Sequence, residues 1–85
     1  MTEDQKLQNR IRLGERIALL RKNKGMTQEQ LAEAAGLHRP HICKIEAGKY
    51  ATTIDVLQAI AEALDMTVDI IDPSIADLAP LKKLC

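Results

Sequence analysis

The chain has 85 residues, 46% of them hydrophobic, and its 12 Lys+Arg are balanced by 12 Asp+Glu. A chain this short holds one modest core and is too apolar to be disordered, so a second, effector-binding domain is not expected. Tyr50 is the sole aromatic residue and no apolar run exceeds four residues (Ile17-Ala18-Leu19-Leu20), which argues against base-stacking platforms, a membrane span or a secretory leader.

The first helix is predicted over residues 3–23. Thr2 precedes Glu3 and Asp4, acids suited to a first turn, and two apolar sets follow at helical spacing: Leu7, Ile11, Ala18 and Leu13, Ile17, Leu20. Asn23-Lys24-Gly25 should end this helix, and Gly14 should kink or divide it. Thr27-Gln28-Glu29-Gln30 has the form of a capping box. A helix of about two turns is expected to follow as far as Ala35, with Gly36 taking the left-handed backbone at its end. The next helix passes through Ile42 and Ile45 and closes at Gly48. Thr53 caps a fourth, over 54–64, whose apolar stripe is Ile54, Leu57, Ile60, Ala61 and Leu64.

Residues 66–71 are open to two readings. Thr67, Val68, Ile70 and Ile71 are β-branched and Pro73 ends the run, which favours a short strand over a fifth helix, although six residues cannot separate the two by periodicity. Such a strand has no partner within the chain, so pairing with its equivalent in a second subunit is the natural solution. Asp72-Pro73-Ser74 then reads as the start of a last short helix with Ile75 and Leu78 inward, Pro80 at its end and a frayed tail. Residues 1–72 thus form the main domain and 73–85 a C-terminal helix and tail.

The zero net charge divides into two opposed parts. Residues 1–50 hold ten basic side chains (Lys6, Arg10, Arg12, Arg16, Arg21, Lys22, Lys24, Arg39, Lys44, Lys49) against six acids, and residues 51–85 hold two against six. One half is therefore suited to a polyanion and the other to a different partner. Cys43 and Cys85 make no disulfide framework and read as reduced thiols, which implies a cytoplasmic protein. His38, His41 and Cys43 lack a fourth ligand and a recurrent zinc spacing, so no metal or other cofactor is expected. No nucleophile elbow, phosphate loop or carboxylate pair is visible, and the chain does not read as an enzyme.

Residues 28–47 carry the most information. Two helices of about eight residues meet at Gly36, with Leu31, Ala35, Leu37, Ile42 and Ile45 inward and the small Ala32 at the crossing. A steep crossing over so short a turn needs glycine at the reversal and a small side chain at the contact, which is the pattern of a helix-turn-helix. Residues 14–66 resemble the helix-turn-helix family of phage repressors and Cro proteins, also called the XRE family. The resemblance rests on Gly14-Glu15-Arg16-Ile17, Leu20-Arg21, Gly25-Met26-Thr27-Gln28, Leu31-Ala32, Ala35-Gly36 and Ile42-Cys43-Lys44-Ile45-Glu46-Ala47-Gly48-Lys49. Thr53-Ile54-Asp55-Val56-Leu57 and Ile60-Ala61-Glu62-Ala63-Leu64 continue it.

The resemblance implies a mainly all-α domain of four to five helices that binds double-stranded DNA, usually as a homodimer. Carried over by position, the base-facing residues are His38, Arg39, Pro40 and Lys44, with Arg39 able to bond guanine O6 and N7 together. Gln28 lies at a helix start suited to phosphate, a role the family gives this residue, and Lys49, Tyr50 and Thr52 follow in a loop expected along the DNA backbone. Many members join a basic residue on the first helix to a glutamate near the end of the reading helix, here Arg21 and Glu46. Pro40 departs from the usual Ser or Thr, and by disfavouring helical geometry at Arg39 it should delay the helix start to position 40. Cys43, where the family often has Ser, is expected to be buried. Thr67, Val68, Ile70 and Ile71 are the expected dimerising residues. The leading reading is a dimeric repressor without a small-molecule effector domain. The rival is an antitoxin-type module that binds a partner toxin and autoregulates its operon, a reading motivated by the acidic second half and by Ile75, Leu78, Leu81 and Leu84.

Overall fold

Capping sets the helix boundaries in the computed structural model, which describes residues 1–70. Four helices are present among them: α1 (Glu3–Asn23), α2 (Gln28–Ala35), α3 (Arg39–Glu46) and α4 (Ile54–Ala63). At Thr27 the hydroxyl accepts from the Gln30 N–H at 3.0 Å, while the Gln30 side chain accepts from the Thr27 N–H at 2.8 Å. Thr2 and Gln5 form the same reciprocal pair at the start of α1, and the Thr53 hydroxyl accepts from the Val56 N–H at 3.2 Å. Each device satisfies amide donors that the first turn leaves free.

Helix endings are equally local. Gly36 adopts φ +70° after α2, and the Leu37 N–H returns to the Ala32 carbonyl at 2.8 Å. The chain can therefore reverse towards α3 without the steric cost of a Cβ in a left-handed conformation. At the end of α4 the same left-handed position is filled by Asp65 at φ 58°, and the Met66 N–H donates to the Ala61 carbonyl. Asp65 also meets Lys24 in an ion pair that links the α1–α2 turn to the end of α4.

α2 packs on both α3 and α4, and α1 packs along α3. Ile17, Leu31, Ala32, Ile42, Ile45, Ile60 and Leu64 form the buried cluster, bordered by Leu13, Leu20, Met26, Leu37, Val56 and Leu57. Ala32, only 2% exposed, lets α2 approach its neighbours closely. At about 25 cal/mol per Å² of apolar surface, this set supplies the main drive for folding.

Four expectations need correction. α1 runs unbroken through Gly14, because the missing side chain serves a helix crossing and not a break: a Cβ there would lie 2.6 Å from the Glu46 carbonyl oxygen. Leu7 is exposed, since no described element covers the outer turns of α1, and Ile54 at the first position of α4 is 63% exposed. Residues 66–70 are irregular and not a strand: among the described residues of the single chain no second strand is present to supply ladder hydrogen bonds. The expected fifth helix and tail, over 73–85, lie outside the described residues.

Candidate nucleic-acid interface

The two faces of α3 define the site. Ile42 and Ile45 are buried and Glu46 is largely so, whereas Arg39, Pro40, Cys43 and Lys44 are exposed. At 100° per residue these four occupy one continuous wedge of the helix surface, with Arg39 above Cys43 and Pro40 above Lys44. Cys43 is thus exposed, contrary to the expectation of burial. The apolar register set by Ile42 and Ile45 turns it to the middle of the outer face.

The start of α3 also differs from expectation. His38, with φ −96° and ψ 146°, is the extended residue before the helix, and Arg39 already belongs to the first turn. Pro40 is tolerated there because its missing N–H falls among donors that have no intrahelical acceptor. His38 makes no side-chain cap bond and remains exposed beside Arg39.

A polar network holds the inner face. The Arg21 guanidinium donates to Glu46 through Nε at 2.7 Å and Nη2 at 3.1 Å, and through Nη1 to the Met26 carbonyl at 2.8 Å. Gln28 Nε2 donates to Glu46 Oε1 at 3.1 Å. The hydrogen bond that Arg21 donates to Glu46, opposed by burial and aided by the carboxylate's charge, raises the Arg21 pKa above the ordinary arginine value. One carboxylate thereby ties α1, the α1–α2 turn and the start of α2 to the last turn of α3. Sequence reasoning missed Gln28 as a member of this network. Gln28 and Glu46 are 18 residues apart, and no local pattern marks their meeting.

The 48–52 segment leads away from α3. Gly48 is buried and pressed on α1, where a Cβ would lie 2.7 Å from Ile11 Cγ1. Lys49 is exposed, and Tyr50, 46% exposed, lays its ring against His41 with centroids 4.8 Å apart. The Thr52 hydroxyl is buried, so this conformation directs it towards the domain and removes it from the expected phosphate-contacting set. The expected dimerising residues Thr67 and Ile70 are exposed and Val68 is half-buried; Ile71 lies outside the described residues. Among the described residues no group of three His, Cys, Asp or Glu side chains is placed to hold a metal ion, and no helix is long and apolar enough to cross a membrane.

This arrangement, a short helix locked from behind and presenting a cationic outer face after a glycine turn, coincides with a family match. Residues 17–71 match the profile described as helix-turn-helix. The chain belongs to the helix-turn-helix family of DNA-binding transcriptional regulators. Similar curated proteins include the immunity repressor protein of Bacillus phage phi105, 41% identical over 59 residues. That alignment covers 69% of this chain but only 41% of the phage protein. Control protein C.SmaI of Serratia marcescens is 38% identical over 56 residues, covering 66% of this chain and 67% of that protein. Among solved structures, the restriction-modification controller protein C.AhdI from Aeromonas hydrophila superposes with a TM-score of 0.67 at 33% identity, covering 68% of this chain and 88% of that one. The clp gene regulator ClgR from Corynebacterium glutamicum gives 0.68 at 27% identity, covering 88% and 84% respectively.

Proposed function

We propose that this helix-turn-helix regulator inserts the outer face of α3 into the major groove of an operator and represses transcription as a homodimer in the cytoplasm. The carrying observation is the division of α3: Ile42, Ile45 and Glu46 fix the helix from within, and Arg39, Pro40 and Lys44 are left outward for base edges. Arg39 reads a guanine, and His38 and Lys44 flank it. The start of α2 faces a phosphate through the backbone N–H groups of its first turn, beside Gln28, and exposed Lys49 takes another. Two such subunits would place their reading helices one DNA turn apart, about 34–36 Å.

The dimer reading rests on apolar surface near the end of the described chain. A shallow groove between α1 and α4 is lined by Leu13, Leu20, Leu57, Met66 and Val68, and Ile70, two residues on from Val68, is 96% exposed. A second subunit would cover this surface. The matched relatives carry the names of repressors, control proteins and transcriptional regulators, which favours DNA as the principal partner over a toxin.

Recovery and sequencing of source-genome fragments bound by the protein, at two salt concentrations, tests this function. A single enriched palindromic site whose yield falls with salt is the expected result, because phosphate contacts release counterions. Failure to enrich any site overturns it. Arg39→Ala should cost about 1–3 kcal/mol of binding and relax the preference at one base position. An unchanged selected motif would remove Arg39 from the reading set.

A further inference from the structure

The family match begins at residue 17, whereas α1 begins fourteen residues earlier at Glu3. One face of this long helix carries Lys6, Arg10, Gly14, Ile17 and Arg21 at intervals of three or four residues. Its last three members are buried, and Gly14 and Arg21 lie directly against the end of α3. Towards the N-terminus α1 is met by Gly48 at Ile11, on the neighbouring side of the helix, and then runs beside the loop that follows α3. There Lys6 and Arg10 line a shallow groove together with Asn9, Leu13, Tyr50 and Thr52. No carboxylate contributes to the lining of this groove. Among the described residues Arg10 is half-buried and takes part in no ion pair. Lys6 reaches Glu3 at 3.2 Å, an exposed pair one helical turn apart and of the kind that contributes little.

From this placement we infer that Lys6 and Arg10 form an additional phosphate site, which extends the contact with duplex DNA beyond the reading helix. The inference rests on the DNA-binding reading above. If α3 occupies the groove, the loop after it faces the sugar–phosphate backbone, and Lys6 and Arg10 border that loop from the α1 side. Exposed Lys49 lies at the start of the same loop. Arg10 is half-buried, and a partly packed arginine stem lowers the ordering cost of a phosphate contact. The ligand is a backbone phosphate flanking the bases that α3 reads, and the contact carries no base preference.

The test is a titration of the full chain with its selected genomic fragment between about 50 and 200 mM salt, comparing wild type with Lys6→Gln/Arg10→Gln. Each phosphate neutralised contributes about 0.9 to the slope of log K against log salt, so with one such phosphate for each subunit of the proposed dimer the double variant should be shallower by about 1.8. Its selected sequence and melting temperature should be unchanged, and ethylation interference should be lost at flanking phosphates alone. Lys6→Arg/Arg10→Lys should keep the wild-type slope. A wild-type slope in the Gln double variant, or a slope lost equally in the charge-conserving variant, overturns the phosphate site and leaves the reading helix intact. If wild type shows no salt-dependent binding to any duplex, the DNA-binding reading itself fails.

Discussion

The α2–α3 hairpin and the stretch after α4 are built on opposite principles. In the hairpin, polar groups find partners close at hand: Gln30 answers Thr27, Leu37 answers Ala32 across the Gly36 turn, and Glu46 receives both Arg21 and Gln28. Residues 66–70 leave Met66 and Ile70 exposed and form no regular element. The first region is complete within one chain. The second presents exposed apolar surface, which the proposed dimer would bury.

The contrast breaks most visibly at Glu46. Glu46→Ala leaves the Arg21 guanidinium buried without its carboxylate and frees Gln28, and should destabilise the domain by about 3–5 kcal/mol in chemical denaturation. A loss below about 1 kcal/mol would show that the network orients α3 without stabilising it. Because the Arg21 pKa is raised, its contribution is complete below the ordinary arginine range and declines only as strong alkali approaches the folded value. Arg21 titration therefore adds no pH dependence to stability at neutral or acidic pH.

Gly14→Ala comes next. Helix propensity alone favours alanine by about 1 kcal/mol. The backbone carbonyls of α3 occupy the space of the new methyl group, so the net effect should be a loss of about 1–3 kcal/mol. A rise in melting temperature would mean that α1 shifts away from α3 at little cost. Thr27→Ala should cost about 1 kcal/mol by removing the cap of α2, read as a lower denaturation midpoint with unchanged slope.

The smallest effect on the monomer sharpens the contrast most. Ile70→Ser should change monomer stability by less than about 0.5 kcal/mol, since this side chain is almost wholly exposed. It should nevertheless shift the mass measured by sedimentation at micromolar concentration from dimer towards monomer. An unchanged mass would remove Ile70 from the subunit interface.

Locally encoded features were legible in the sequence, and features made by distant packing were not. The capping at Thr2 and Thr27 and the reversal at Gly36 depend on residues within about one turn of each other, so spacing suffices for these helix ends, though not for the start of α3. Arg21 and Glu46 came from family resemblance and not from spacing, and Gln28 escaped because its bond to Glu46 crosses from α2 to α3. Cys43 was misjudged for a related reason: its exposure follows from the face that Ile42 and Ile45 turn to the core, which residue type alone does not reveal. At Gly14 the sequence suggests a helix break, because the actual constraint, the carbonyls at the end of α3, lies more than thirty residues away. Over 66–70 β-branched composition favours a strand, but a strand needs a ladder partner, and the described residues of one chain offer none.

The two-sidedness of α3 has a consequence for descent. Ile42, Ile45 and Glu46 serve the fold, while among the described residues the side chains of Arg39, Pro40, Cys43 and Lys44 form no ion pair or hydrogen bond with the scaffold. On the proposed reading, substitutions on the outer wedge would therefore change operator recognition with little effect on folding. A duplicated copy of this chain could acquire a new target by drift at four positions without passing through an unstable ancestor, and two copies in one cell could become insulated from each other's promoters.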